Sequence, residues 1–114
     1  MITLKGRDPR MTANNLTSFE PVHPGELLKD EIEYRGISQR RLAVQMGVAN
    51  SVLNEILNGK RPVTVEYAIL LEAALGVDAE PLLKMQASYN LQTIRKNKAF
   101  AKRLSKVRRF TTLR

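Results

Sequence analysis

The chain has 114 residues, 43% of them apolar, and contains neither Cys nor Trp. That length fits one small domain with short extensions, and the composition excludes disulfides, thiolate metal sites and thiol nucleophiles. The formal charge is +8, yet residues 1–89 hold ten Lys/Arg against eleven Asp/Glu, whereas residues 90–114 hold nine Lys/Arg and no acid. A cationic block of this kind points either to a polyanion or to a solvated helix face. No apolar run approaches the roughly 18 residues of a membrane span. The opening MITLKGRDPRMTANNLTSFE lacks the apolar core of a secretory signal. A cytoplasmic chain with no membrane partner is expected.

Residues 1–20 show no sustained period and are rich in Thr, Asn and charge, as a flexible N-terminal arm would be. A first helix follows from Pro24 to about Arg35. Proline suits its first turn and Glu26 its positive end. Leu27, Leu28, Ile32 and Tyr34 supply its apolar positions, and Gly36 stops it. Ser38 is the N-cap of a second helix reaching about Met46, with Leu42, Ala43 and Met46 as its buried side. After Gly47, Val48 leads into a third helix, roughly 50–58, in which Val52, Leu53, Ile56 and Leu57 recur at helical spacing before Gly59.

Thr64 caps a fourth helix, 65–75, with Ala68, Ile69, Leu71, Ala74 and Leu75 to bury. Asp78 caps a fifth, carrying Leu82, Leu83, Met85, Gln86 and Tyr89. The spacing of Leu91, Ile94, Phe100, Leu104 and Val107 predicts a sixth, basic helix after a kink near Asn90 or Asn97. Alternating β-branched runs are absent. The expected fold is all-α, with an arm (1–20), a five-helix domain (21–91) and a basic C-terminal helix or tail (92–114).

The second and third helices, joined by a glycine turn, follow the helix-turn-helix plan, in which the third helix enters the DNA major groove. Its outward positions are Asn50, Ser51, Asn54 and Glu55, with Val52 beside them. Asn pairs bidentately with adenine, Ser donates or accepts, Glu accepts from cytosine, and an apolar side chain meets the thymine methyl. These five are the candidate base-reading residues. Ser38 and Gln39 at the start of the second helix are candidate phosphate contacts, Gln39 also bracing the third helix. Arg40, Arg41, Lys60 and Arg61 flank the pair as phosphate clamps. Asn50 serves equally well as a helix cap, and Glu55 equally well as a partner of Arg41 or a solvated residue, whereas Asn58 is better explained as a cap than as a reader.

One such helix covers only a few base pairs, so specificity calls for two half-sites about 34 Å apart and a homodimer. Leu82, Leu83 and Met85, extended by Leu91 and Ile94, are the candidate dimer surface; the alternative is that they fill the monomer's own core. Nothing points to catalysis. The one histidine, His23, precedes a proline at a helix start, where capping is its natural role. Asp30, Glu31 and Glu33 share one helix instead of converging across a cleft. Neither a phosphate-binding glycine loop nor a metal-ligand cluster occurs. No catalytic residue, metal or cofactor is expected.

The stretch ISQRRLAVQMGVANSVLNEILNGKRPVTVEYAILLEAALGV resembles the repressor/Cro-like (XRE) helix-turn-helix family. The matching points are Ser38-Gln39, Leu42-Ala43, Gly47-Val48, Leu53, Ile56 to Lys60 and Leu75-Gly76. His23-Pro24-Gly25-Glu26 before the first helix and the fifth-helix stretch 79–91 narrow the resemblance to HigA-type antitoxins. Two positions depart from that pattern: the family's usual fifth-helix Trp is replaced by Leu82 or Leu83, and Ala49 stands where Ser or Thr often caps the third helix. The resemblance implies a dimer that binds a palindromic operator in double-stranded DNA at its own promoter. It further implies neutralisation of a HigB-like toxin, a ribosome-dependent mRNA endonuclease. It places base contacts on Asn50, Ser51, Val52 and Glu55 and a phosphate contact on Gln39. A free-standing repressor without a toxin is the competing function.

Overall fold

The structure, a computed structural model, describes residues 21–110; the expected arm 1–20 and residues 111–114 lie outside the described residues. Among the described residues there are six helices and no strand: α1 (Pro24–Tyr34), α2 (Gln39–Met46), α3 (Asn50–Leu57), α4 (Val65–Leu75), α5 (Ala79–Arg95) and α6 (Lys98–Leu104). No helix among them is long and apolar enough to cross a membrane.

One aliphatic core joins the first five helices. Leu28 and Ile32 of α1 meet Leu42, Ala43 and Met46 of α2, Leu53, Ile56 and Leu57 of α3, Ala68, Leu71 and Leu75 of α4, and Leu82 of α5. Two of these helices come into close backbone contact at Gly25. A Cβ there would stand 2.0 Å from the Ile56 carbonyl oxygen, so the first turn of α1 lies against the α3 backbone and accepts no side chain.

The local signals for α1, α2 and α4 act as expected. His23 Nδ1 accepts from Gly25 N–H at 2.9 Å, Ser38 Oγ from Arg41 N–H at 3.1 Å and Thr64 Oγ1 from Tyr67 N–H at 3.2 Å. The fifth helix differs. Asp78 holds the N-cap position but makes no side-chain cap bond; the carboxylate of Glu72, reaching across the turn, accepts from Ala79 N–H at 3.2 Å instead.

Ile69, expected to be buried, is 54% exposed. An eleven-residue helix that is apolar on most sides has more apolar positions than the core has room for. Helix α5 runs unbroken past residue 91 to Arg95, so the expected boundary between domain and tail falls inside a helix. The break comes at Lys96-Asn97, where the Asn97 side chain accepts from Phe100 N–H at 2.8 Å and starts α6.

Leu82, expected on a dimer surface, is 3% exposed and belongs to the core. It faces the four-helix body because α5 packs on α4 through that side. Leu83 is half-buried against the same core, and Met85 is half-buried outside it. Leu91 and Ile94, beyond the body, stay exposed.

Candidate nucleic-acid interface

Helix α3 has eight residues, too few to persist alone in water. Two features hold it. The α2–α3 turn closes through Gly47 in the left-handed region at φ 72°, with Val48 N–H donating to the Ala43 carbonyl at 3.0 Å. The inner side of α3, Leu53, Ile56 and Leu57, is then buried almost completely. Its N-cap residue is Ala49, in extended conformation and with no side chain able to cap. Asn50 is therefore the first helical residue, and its amide is released for other bonds.

Those bonds form a continuous chain of amides. Gln39 Nε2 donates to Asn50 Oδ1 at 3.0 Å, and Asn54 Nδ2 donates to Gln39 Oε1 at 3.2 Å. Gln39 thus spans the first turn and a half of α3 and fixes both asparagines relative to α2. Asn58, the backbone C-cap of α3, continues the chain: its Nδ2 donates to the Asn54 carbonyl at 2.9 Å and to Asn54 Oδ1 at 3.2 Å. Lys29 Nζ of α1 donates to Asn58 Oδ1 at 3.0 Å. The Lys29 link joins elements 29 residues apart, and nothing local in the sequence signals it.

Among the candidate base readers, Asn50, Ser51 and Asn54 are exposed on the outer side of α3, and Val52 is half-buried against the core. Glu55 points elsewhere. Its Oε1 takes Arg61 Nη2 at 2.7 Å and Arg61 Nε at 2.8 Å. The expected partner Arg41 is replaced because the turn after α3 brings Arg61 back beside Glu55. One expected reader and one expected phosphate clamp therefore occupy each other. Arg40 and Lys60 remain exposed, Arg41 instead lines a cleft with Gln45 and with Ala74 and Leu75 at the end of α4, and the Ser38 hydroxyl is committed to its cap.

The turn carrying Lys60 and Arg61 is tied down from behind. Gln86, 5% exposed, accepts from Val63 N–H at 2.8 Å and donates to Asn90 Oδ1 at 3.0 Å. His23, 3% exposed, packs edge-on against Tyr89 with ring centroids 5.0 Å apart. Desolvation by burial lowers its pKa below the ordinary 6.5, outweighing a hydrogen bond with the Arg61 backbone and the nearby Glu26 carboxylate. Gln86 was legible only as a polar residue on an otherwise apolar helix side; its bond to Val63 was not.

A family model described as helix-turn-helix matches residues 28–82. The antitoxin HigA-1 of Vibrio cholerae is 40% identical over 76 residues, 66% of this chain and 71% of that protein. An addiction module antidote protein of the HigA family from Coxiella burnetii superposes with a TM-score of 0.71 at 29% identity, over 81% of this chain and all of its own. The Pseudomonas aeruginosa antitoxin HigA, solved with the higBA promoter, gives 0.69 at 29% identity over 77% and 96%. The helix-turn-helix and the overall fold match these proteins, and the chain belongs to the HigA-type antitoxin family of helix-turn-helix proteins.

Proposed function

We propose that the protein is an operator-binding antitoxin that works as a homodimer in the cytoplasm, represses its own promoter and neutralises a HigB-like toxin. The observation that carries the DNA-binding part is the outer side of α3. Asn50, Ser51 and Asn54 are exposed together on the outer side of α3, and Gln39 holds the two amides in place. Preorganised amides keep their donors and acceptors directed before a base edge arrives, which lowers the ordering cost of binding. The Pseudomonas aeruginosa relative, solved with promoter DNA, supports DNA binding by this fold.

The toxin part is supported by family membership and by charge. Glu26, Asp30 and Glu33 of α1 border an open cleft beside Lys29, Leu57 and Asn58, and an acidic rim suits a basic partner. That cleft shares no residue with the outer face of α3.

The test is a footprint on the DNA upstream of the protein's own reading frame. It is paired with co-purification of the adjacent frame's product. Ser51→Ala and Asn54→Ala should each weaken operator binding by about 1–3 kcal/mol and relax preference at one position per half-site. Both should leave co-purification intact. Equal losses on operator and random duplex would refute base reading by α3.

A further inference from the structure

The matched helix-turn-helix residues are poorly charged for gripping a polyanion. Residues 28–82 hold six Lys/Arg and eight Asp/Glu, a net of −2. Of the basic side chains flanking α3, Arg61 is committed to Glu55. Affinity for duplex DNA rests mainly on cations that displace condensed counterions, and the exposed Arg40 and Lys60 are few for that purpose, so further cationic charge comes from elsewhere in the chain. Residues 95–109 contain eight Lys/Arg and no acid.

Three observations place that segment. Asn90 of α5 lines the same shallow cleft as Lys60 and Arg61, the turn that follows the recognition helix. From there α5 continues five residues, about 7.5 Å of rise, to Arg95, and α6 follows after the Asn97 cap. The basic run therefore leaves the body on the side of the phosphate-facing turn. Lys98 and Lys102 lie one turn apart on α6, with Phe100 and Leu104 on the opposite side. Like charges at that spacing destabilise an isolated helix by a few tenths of a kcal/mol, so this stripe does not exist for the helix's sake. Lys98, Lys102, Arg103 and Lys106 are exposed and make no ion pair among the described residues.

We infer that residues 95–109 form a second DNA surface, independent of sequence, that binds the phosphate backbone of the duplex flanking the half-site held by α3. The inference rests on the DNA-binding function proposed above. It assigns affinity and selectivity to different parts of one chain: the body, net −2, selects the site, and the C-terminal segment supplies most of the counterion release.

The experiment uses the full chain with Lys98→Gln, Lys102→Gln, Arg103→Gln and Lys106→Gln combined. Helix α6 has no buried residue, so the fold is retained. Binding is titrated between about 50 and 200 mM salt on three duplexes: the upstream region, the same region trimmed to its two half-sites without flanks, and a random sequence of full length. Four phosphate contacts per protomer predict a slope of log K against log salt shallower by about 3–4 for each protomer bound. The losses should be of equal factor on upstream and random DNA, and much smaller on the trimmed duplex. A variant whose slope parallels the wild type overturns the inference, as does a loss confined to co-purification of a protein partner. If the wild type shows no sequence preference while the slope still changes, the C-terminal surface stands and base reading by α3 falls.

Discussion

His23 joins three parts of the molecule within a few ångströms: it caps α1 through Nδ1, bonds the backbone of Arg61 and meets the ring of Tyr89 on α5. Its capping role was legible from His-Pro-Gly-Glu alone, because an acceptor before a first-turn proline is a local requirement. Its burial was not, because Tyr89 lies 66 positions away in the sequence. The cap uses Nδ1 as an acceptor, and a protonated ring has no acceptor to offer. Burial lowers the folded pKa, so between that value and 6.5 the unfolded chain binds more protons than the native one. Stability is therefore at its full value above pH 6.5 and falls as the pH drops through the window below it, flattening once the folded form also protonates. Chemical denaturation across pH 5–8 should show this decline. His23→Asn, which keeps a capping acceptor and removes the titration, should show a flatter profile; an unchanged decline would assign it to carboxylates.

Helix limits in this chain are set by two kinds of signal, and only one kind is visible in a sequence. Ser38, Thr64 and Asn97 sit three residues before the amides they cap, so their roles follow from local pattern. Glu72 caps α5 from the preceding helix, displacing Asp78, and Gln39 ties Asn50 and Asn54 across the turn; these bonds depend on how helices come together. Likewise the 3.6-residue period was enough to find all five core helices but not to tell Leu82, facing inward, from Leu91, facing out. Ala49 stands between the two kinds. Its φ of −70° and ψ of 134° are those of an N-cap, and only the side-chain oxygen is missing. Ala49→Ser should therefore stabilise the protein by about 1 kcal/mol. This would be read as a higher denaturation midpoint at unchanged m-value. Loss of stability would mean that the first turn of α3 already has its amides satisfied in another way.

At the scale of the whole molecule, the body and the C-terminal extension leave an apolar surface exposed among the described residues. Leu91 and Ile94 on the end of α5 are about half exposed, and Phe100 and Leu104 on α6 expose a third to a half of their area. The core is complete without them: Leu82 and Gln86 already fix α5 to the body. A second copy laid along this stripe would hide it and join two recognition helices into one unit, while the basic side of α6 stayed free for phosphate. The consequence for binding is large, because a linked pair of half-site contacts exceeds either alone by about 10²–10⁴ in affinity. Leu91→Glu with Ile94→Glu should give a monomer in sedimentation at micromolar concentration, with unchanged helicity. Operator affinity should fall by about that factor, and random-sequence binding through the basic segment should fall far less. A variant that sediments as a dimer would move the interface to another surface, such as the exposed Val65 and Ile69 of α4.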